Sequence, residues 1–249
     1  MIALKKPEMI LAISNAFLKY RYGMVQGVFG VNIHEFAAEG GRHLMMGCRE
    51  LLESNVDYRQ ILPYLMLYKK NAEGKIAFFV YRRCKGIGEE RLLGKASVGI
   101  GGHIDGKDVV FSEGSEVVFD QTISKNALRE ASEEVTFFDG DGNHLANLDI
   151  NIGCNGVICD SQDAVGLVHL GILLSAEVPA DVEIKCREAE LEAIGFMTID
   201  EILEAGMESD LENWSAMALG YMRAIEMHEL EQRLAEEAAA EAAKEVAGA

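Results

Sequence analysis

Arg129-Glu130-Ala131-Ser132-Glu133-Glu134, together with Gly101-Gly102-His103-Ile104-Asp105 upstream, decides how this chain folds. Carboxylates at 130, 133 and 134 stand three and four residues apart, a spacing that gathers them on one side of a helix. Ala127, Leu128, Ala131 and Val135 recur on a separate face, so one helix can bury one side and present acids on another. Ser124 is the expected N-cap, and 126–135 contains no Gly or Pro. Like charges this close repel unless a cation sits among them, and a hard divalent ion such as Mg²⁺ prefers carboxylate and water oxygens. The plainer reading is a solvated acidic face. The glycines of Val98-Gly99-Ile100-Gly101-Gly102-His103-Ile104 argue for more: they read as a buried strand that another backbone or a phosphate approaches closely.

These residues resemble the signature of the Nudix hydrolases: a Gly, a Glu six residues later, then after seven more an Arg-Glu-x-x-Glu-Glu run closed by Gly. Gly102, Arg129, Glu130, Glu133 and Glu134 match in order and type. Asp108 stands at the first Glu, keeping the charge on a shorter arm. Twenty residues, Val109 to Leu128, replace the seven, and Thr136 replaces the closing Gly. Gln60-Ile61-Leu62-Pro63-Tyr64, Arg91-Leu92 and Gly99 to Ile104 resemble a branch of the family described as phosphoesterases.

The resemblance covers residues 58–205 and implies an α/β fold, a mixed sheet sandwiched between helices. It implies hydrolysis of a phosphoanhydride bond in a nucleoside diphosphate linked to another moiety. Mg²⁺, or alternatively Mn²⁺, is then held by Glu130, Glu133, Glu134 and the backbone at Gly102. Arg129, Glu130, Glu133 and Glu134 are the implied catalytic residues, with Arg129 orienting Asp108 through a charge-assisted pair. Arg82 and Arg83, followed by Lys85, are expected to meet substrate phosphates, although a solvated strand end fits them equally. The resemblance offers Glu188 or Glu190 as a further acid, although an exposed charged turn fits either alone better. Glu113 and Glu116, expected to point away from the phosphates, are alternatives where Asp108 falls short. A nucleotide-binding or regulatory module with weak catalysis is the rival reading, favoured by the long insertion and by Asp108. An assembly protein is a second rival.

Composition narrows the partners. The chain has 249 residues and a formal net charge of -18, with 49% hydrophobic and 26% charged residues. Such a charge opposes broad nucleic-acid or anionic-membrane binding, but leaves room for a small phosphorylated, nucleotide-like substrate. Five cysteines without paired-ligand spacing suggest reduced thiols, and Cys154 and Cys159 read as packing residues. No leader pattern and no run of eighteen apolar residues appears, so a cytoplasmic protein is expected.

In chain order, residues 1–57 are expected to form an extension packed on the main domain, shaping a pocket or a homodimer surface or serving equally well as a purely structural cap, with a helical pattern over Glu8 to Leu18. Tyr64 to Tyr68 and Lys75 to Tyr81 read as strands about a turn at Asn71 to Gly74. The insertion carries Phe111, Val117, Val118 and Phe119 and is expected to fold as a hairpin that buries them. Asp139 to Asn143 is a turn without the Glu of a calcium loop. Ile150 to Cys159 and Val165 to Val178 read as strands, with His169 a packed core residue. Residues 206–249 are a helix and tail, with Leu211, Trp214, Ala218, Met222 and Ile225 on one stripe.

Overall fold

The fold follows from one long apolar strand that two helical layers cover from opposite sides. In a computed structural model, residues 7–23, 26–84, 93–146 and 150–247 are described, without the side chains of 238 and 241–247. Lys85 and Arg91-Leu92 lie outside them. The chain begins with β1 (Met9–Ser14), α1 (Asn15–Tyr22), β2 (Gly27–Phe29), α2 (Ile33–Gly40), β3 (Leu44–Cys48) and α3 (Arg49–Leu52). Next come β4 (Tyr58–Lys70), β5 (Ile76–Arg83), β6 (Ala96–Ser97), β7 (Ile100–Gly101) and α4 (Phe119–Glu134). After α4 run β8 (Val135–Phe138), β9 (His144–Leu145), β10 (Ile152–Cys159), β11 (His169–Glu177), β12 (Glu183–Cys186) and β13 (Leu191–Thr198). Two helices, α5 (Ile199–Glu204) and α6 (Asn213–Ala247), close it.

The large mixed sheet runs β13-β5-β4-β11-β10-β2, with β1, β3, β6 and β7 attached at its margins. Its centre is the parallel pairing of β11 with β4, from His169 opposite Gln60 to Glu177 opposite Tyr68. Alternation along β4 sends Ile61, Leu65 and Leu67 into one core, which α1, α2 and α4 cover through Leu18, Phe36, Ile123 and Ala127. Tyr64 and Met66 face the other core, under Ile202 of α5 and Ala218 and Met222 of α6. The expected α/β sandwich is therefore present, and the Leu211 to Ile225 stripe packs on the body.

Several local expectations fail for physical reasons. Glu8 to Leu18 is not one helix: Met9–Ser14 is a strand, paired with β3 and β4, and its residues Ile10 to Ile13 are all buried. A short continuous apolar run does not distinguish the two states. Ser124 lies inside α4, which starts at Phe119 because that ring is buried against Phe36. The N-cap is Val118, with no side-chain cap. Leu128 is exposed, unlike Ala127, Ala131 and Val135. The insertion does form a small hairpin, bridged at Phe111 and Val117, but Phe111 is 59% exposed.

Arg59 ties the centre together. It is buried, and its Nη1 donates to the carbonyls of Gly166 and His169 at 3.1 and 3.0 Å, its Nε to Asn15 Oδ1 at 3.2 Å. Removing such a donor strands several buried acceptors. Arg59→Met is expected to lower unfolding free energy by about 3 kcal/mol, read from urea denaturation. A change within about 0.5 kcal/mol would mean that the loop before β11 holds itself.

Candidate active site

Glu130 of α4 faces the glycine-rich segment, and a buried ion pair clamps the two together. Asp108 is 1% exposed. Arg129 grips it with two nitrogens, Nε to Oδ1 at 3.0 Å and Nη2 to Oδ2 at 2.9 Å. Asn126 Nδ2 and the backbone N–H of Asp105 also donate to Oδ2, at 2.9 and 3.2 Å. Burial acts to raise this carboxyl, but the bonds from Arg129 and Asn126 outweigh it and hold it below the usual carboxylate range. Asp108, at the position of the first motif acid, is thus committed to structure. Arg129 Nη2 and Asn126 Nδ2 also donate to the His103 carbonyl, at 3.3 and 2.8 Å.

The clamp brings the backbone of Gly102 against Glu130. A Cβ at Gly102 would overlap the Glu130 carboxylate, and one at Gly101 would overlap the Pro63 carbonyl oxygen of β4. Gly101 is therefore needed for the close approach of backbone, whereas a side chain at Gly102 would make the Glu130 carboxylate move aside. Glu130 Oε1 lies 2.6 Å from Arg129 Nη2, and Glu133 Oε2 lies 3.0 Å from Nη1. Glu133 is half exposed, at 53%, while Glu130 is 14% exposed. Burial raises the Glu130 carboxyl against the pull of Arg129.

Glu134 differs. Its Oε2 is buried without a hydrogen-bond partner. Burial pushes its carboxyl up to about 8, with Glu188, Glu130 and Glu212 adding to the effect and Arg83 opposing it. The sequence offered Glu188 or Glu190, and Glu188 is the one whose charge acts on Glu134. Glu212, missed in the sequence, is 8% exposed and accepts from Arg83 Nε at 2.9 Å. Only its place between Leu211 and Trp214 of the apolar stripe could have drawn attention to it.

Arg83 and Glu212 line a cavity of about 210 Å³ with Tyr64, Gly101, His103 and His169. Arg82 is not among its lining residues; it bonds the Gly94 carbonyl at 2.8 Å and approaches Asp210 at 3.5 Å. Glu113 and Glu116 are exposed near the hairpin tip. His169 is buried as expected, yet it also reaches this cavity. Burial, Arg49 and His169 push the His103 imidazole down to about 3, so it is neutral at physiological pH.

With this geometry in place, the chain can be set beside known proteins. Over 163 residues it is 28% identical to protein YmaB of Bacillus subtilis (strain 168), covering 66% of this chain and 70% of that protein. It superposes on Tm1382, described as a candidate Nudix hydrolase, with a TM-score of 0.66 and 20% identity over 88% of this chain and 99% of that one. A Nudix hydrolase from Alicyclobacillus acidocaldarius aligns over 65% of this chain and 90% of that one, at 16% identity and a TM-score of 0.48. No protein-family model matches the chain. The chain has the Nudix fold. Among the described residues no helix is long and apolar enough to cross a membrane.

Two predictions follow from the clamp and from Glu134. Arg129→Lys keeps the charge but loses the fork, and is expected to cost about 2 kcal/mol of stability, read as a lower urea midpoint; an unchanged midpoint would free Asp108 from its proposed role. For Glu134, the folded chain keeps a proton up to about pH 8 that the unfolded chain loses in the ordinary carboxylate range. Stability therefore falls as pH rises through that window. Without metal, Glu134→Gln should match the parent at acidic pH and exceed it at pH 8 by on the order of 2 kcal/mol. An equal difference at both ends would remove the burial account.

Proposed function

We propose that this chain is a Nudix-family hydrolase that cleaves a phosphoanhydride bond in a nucleoside diphosphate linked to a further group, in a metal-dependent reaction. The observation that carries the reading is Glu134 Oε2, buried and unpartnered on the helix that also holds Glu130 and Glu133. A buried carboxylate oxygen without a donor is costly, and a cation beside it removes that cost. The donor set is all oxygen, which suits Mg²⁺, with Mn²⁺ as the alternative. Glu130, Glu133 and Glu134, with the backbone of Gly102, would hold the ion. Bound there, it supplies polarisation of phosphoryl oxygens and a more acidic water.

The chain's own groups supply the rest. The Arg129–Asp108 clamp fixes α4 and so the spacing of its acids. Arg83, steadied by Glu212, brings positive charge to the cavity wall for a phosphate oxygen. A carboxylate of the cluster accepts the proton of the attacking water. Residues 58–205 form the catalytic unit in this reading, and 1–57 add Arg49 and Glu53 to the cavity wall.

One observation favours a nucleotide-binding module instead: Asp108, bound by Arg129 and Asn126, leaves no carboxylate free where the family has a Glu. Nucleoside triphosphates, dinucleoside polyphosphates and nucleotide sugars, assayed for phosphate release with Mg²⁺, separate the two readings. Hydrolysis is expected, and Glu133→Gln and Glu134→Gln should each reduce turnover by on the order of a hundredfold. Unchanged turnover in both variants sinks the metal assignment, and binding without release favours the module.

A further inference from the structure

The cavity lined by Arg83 and Glu212 holds metal-competent side chains of its own, whereas Glu130, Glu133 and Glu134 of α4 are not among its lining residues. Glu53, His103 and His169 each bring one ligand atom to within 4.8 Å of the others. They come from the turn after α3, the segment after β7 and the first residue of β11. The two imidazoles meet through their Nε2 atoms, 3.2 Å apart. His169 Nδ1 lies 2.7 Å from the Val165 carbonyl oxygen, so Nδ1 carries the proton and Nε2 the lone pair. A ring fixed by a carbonyl through its protonated nitrogen, with the lone pair on the other, is the tautomer of a metal-bound histidine. Two nitrogens each about 2.1 Å from one tetrahedral ion stand about 3.4 Å apart, close to the spacing here. The competing explanation is a hydrogen bond between the rings.

A separate observation points the same way. Gln60 is fully buried, and neither its Nε2 nor its Oε1 has a hydrogen-bond partner. It stands opposite His169 in the β4–β11 pairing, so its side chain leaves the sheet on the same face as that ring. An unpaired buried amide is costly, and this one sits at the strand position beside a residue of the cluster.

We propose that Glu53, His103 and His169 bind one divalent transition-metal ion of the Zn²⁺ class, leaving a coordination position open to the cavity. Two imidazoles and one carboxylate form a set for borderline ions, whereas the carboxylates of α4 suit a hard one. The two sites are thus sorted by ligand chemistry and joined through His103, whose ring belongs to one and whose carbonyl is held by Arg129 and Asn126 beside the other. The proposal stands apart from the hydrolytic reading.

The test uses the full chain, stripped of metal and kept in excess Mg²⁺ to fill oxygen sites, then titrated with Co²⁺ and Zn²⁺. One Co²⁺ per chain is expected, with visible absorption that Zn²⁺ removes by displacement. Glu53→Gln should weaken binding at least about tenfold, and His103→Ala further, while Glu134→Gln leaves it unchanged. Glu53 is exposed and pairs with Arg49 at 3.2 Å, so its replacement should leave the melting temperature near the parent's and keep the test clear of misfolding. Absence of the Co²⁺ spectrum would mean rings joined only by a hydrogen bond. Binding that survives both Glu53→Gln and His103→Ala, or that Glu134→Gln abolishes, would put the ion elsewhere. Each of these outcomes overturns the proposal, and none depends on turnover.

Discussion

The pair between Arg129 and Asp108 is the constraint from which the rest of the site hangs. A carboxylate as buried as Asp108 is tolerable only with its oxygens occupied. The guanidinium fork and the Asn126 amide occupy them, and both reach on to the His103 carbonyl. The glycine segment can then lie only in one place against α4. That placement presses Gly102 on Glu130, opens Gly101 to the Pro63 carbonyl and turns the His103 ring to the cavity. A motif that looks like a row of catalytic acids is equally a fastening, with one arginine serving three carboxylates.

How much of this was legible in the sequence depends on the range of the interactions. The helix with Arg129 and its glutamates and the flanking strands could be read because each shows in local spacing, whereas the Asp108 partner came only from the family resemblance. The start of α4 could not: Ser124 is the better cap by chemistry, but burial of Phe119 against Phe36 outweighs capping. Met9–Ser14 was misread because four successive buried positions carry no period. Glu212 and Glu53 were invisible for a different reason. Each becomes part of the cavity only when α6 and the turn after α3 reach β4 and β5, and no local pattern records that meeting.

In a chain of net charge -18 the cavity wall still carries two guanidinium groups, of Arg49 and Arg83, beside Glu53, Asp160 and Glu212. Arg83 is drawn to the wall by Glu212, and Tyr81, Glu134 and Glu212 all act to keep it charged. Acids so arranged hold the guanidinium in place. Glu188, Glu130 and Glu212 all repel the ionised form of Glu134, and Arg83 opposes them.

The parallel pairing of β4 with β11 has a consequence for how the molecule comes to exist. Gln60 meets His169, and Arg59 seals the join by binding the loop just before it. Parallel strands with so much chain between them close late, because the entropy of loop closure precedes the reward of contact. On a ribosome the first strands, α4 and the glycine segment emerge with the central slot beside β4 still vacant. Until β11 arrives, the apolar edge of β4 is open to other chains, the condition under which slow-closing sheets aggregate. The order of synthesis thus leaves the nascent chain exposed for as long as its middle strand is missing.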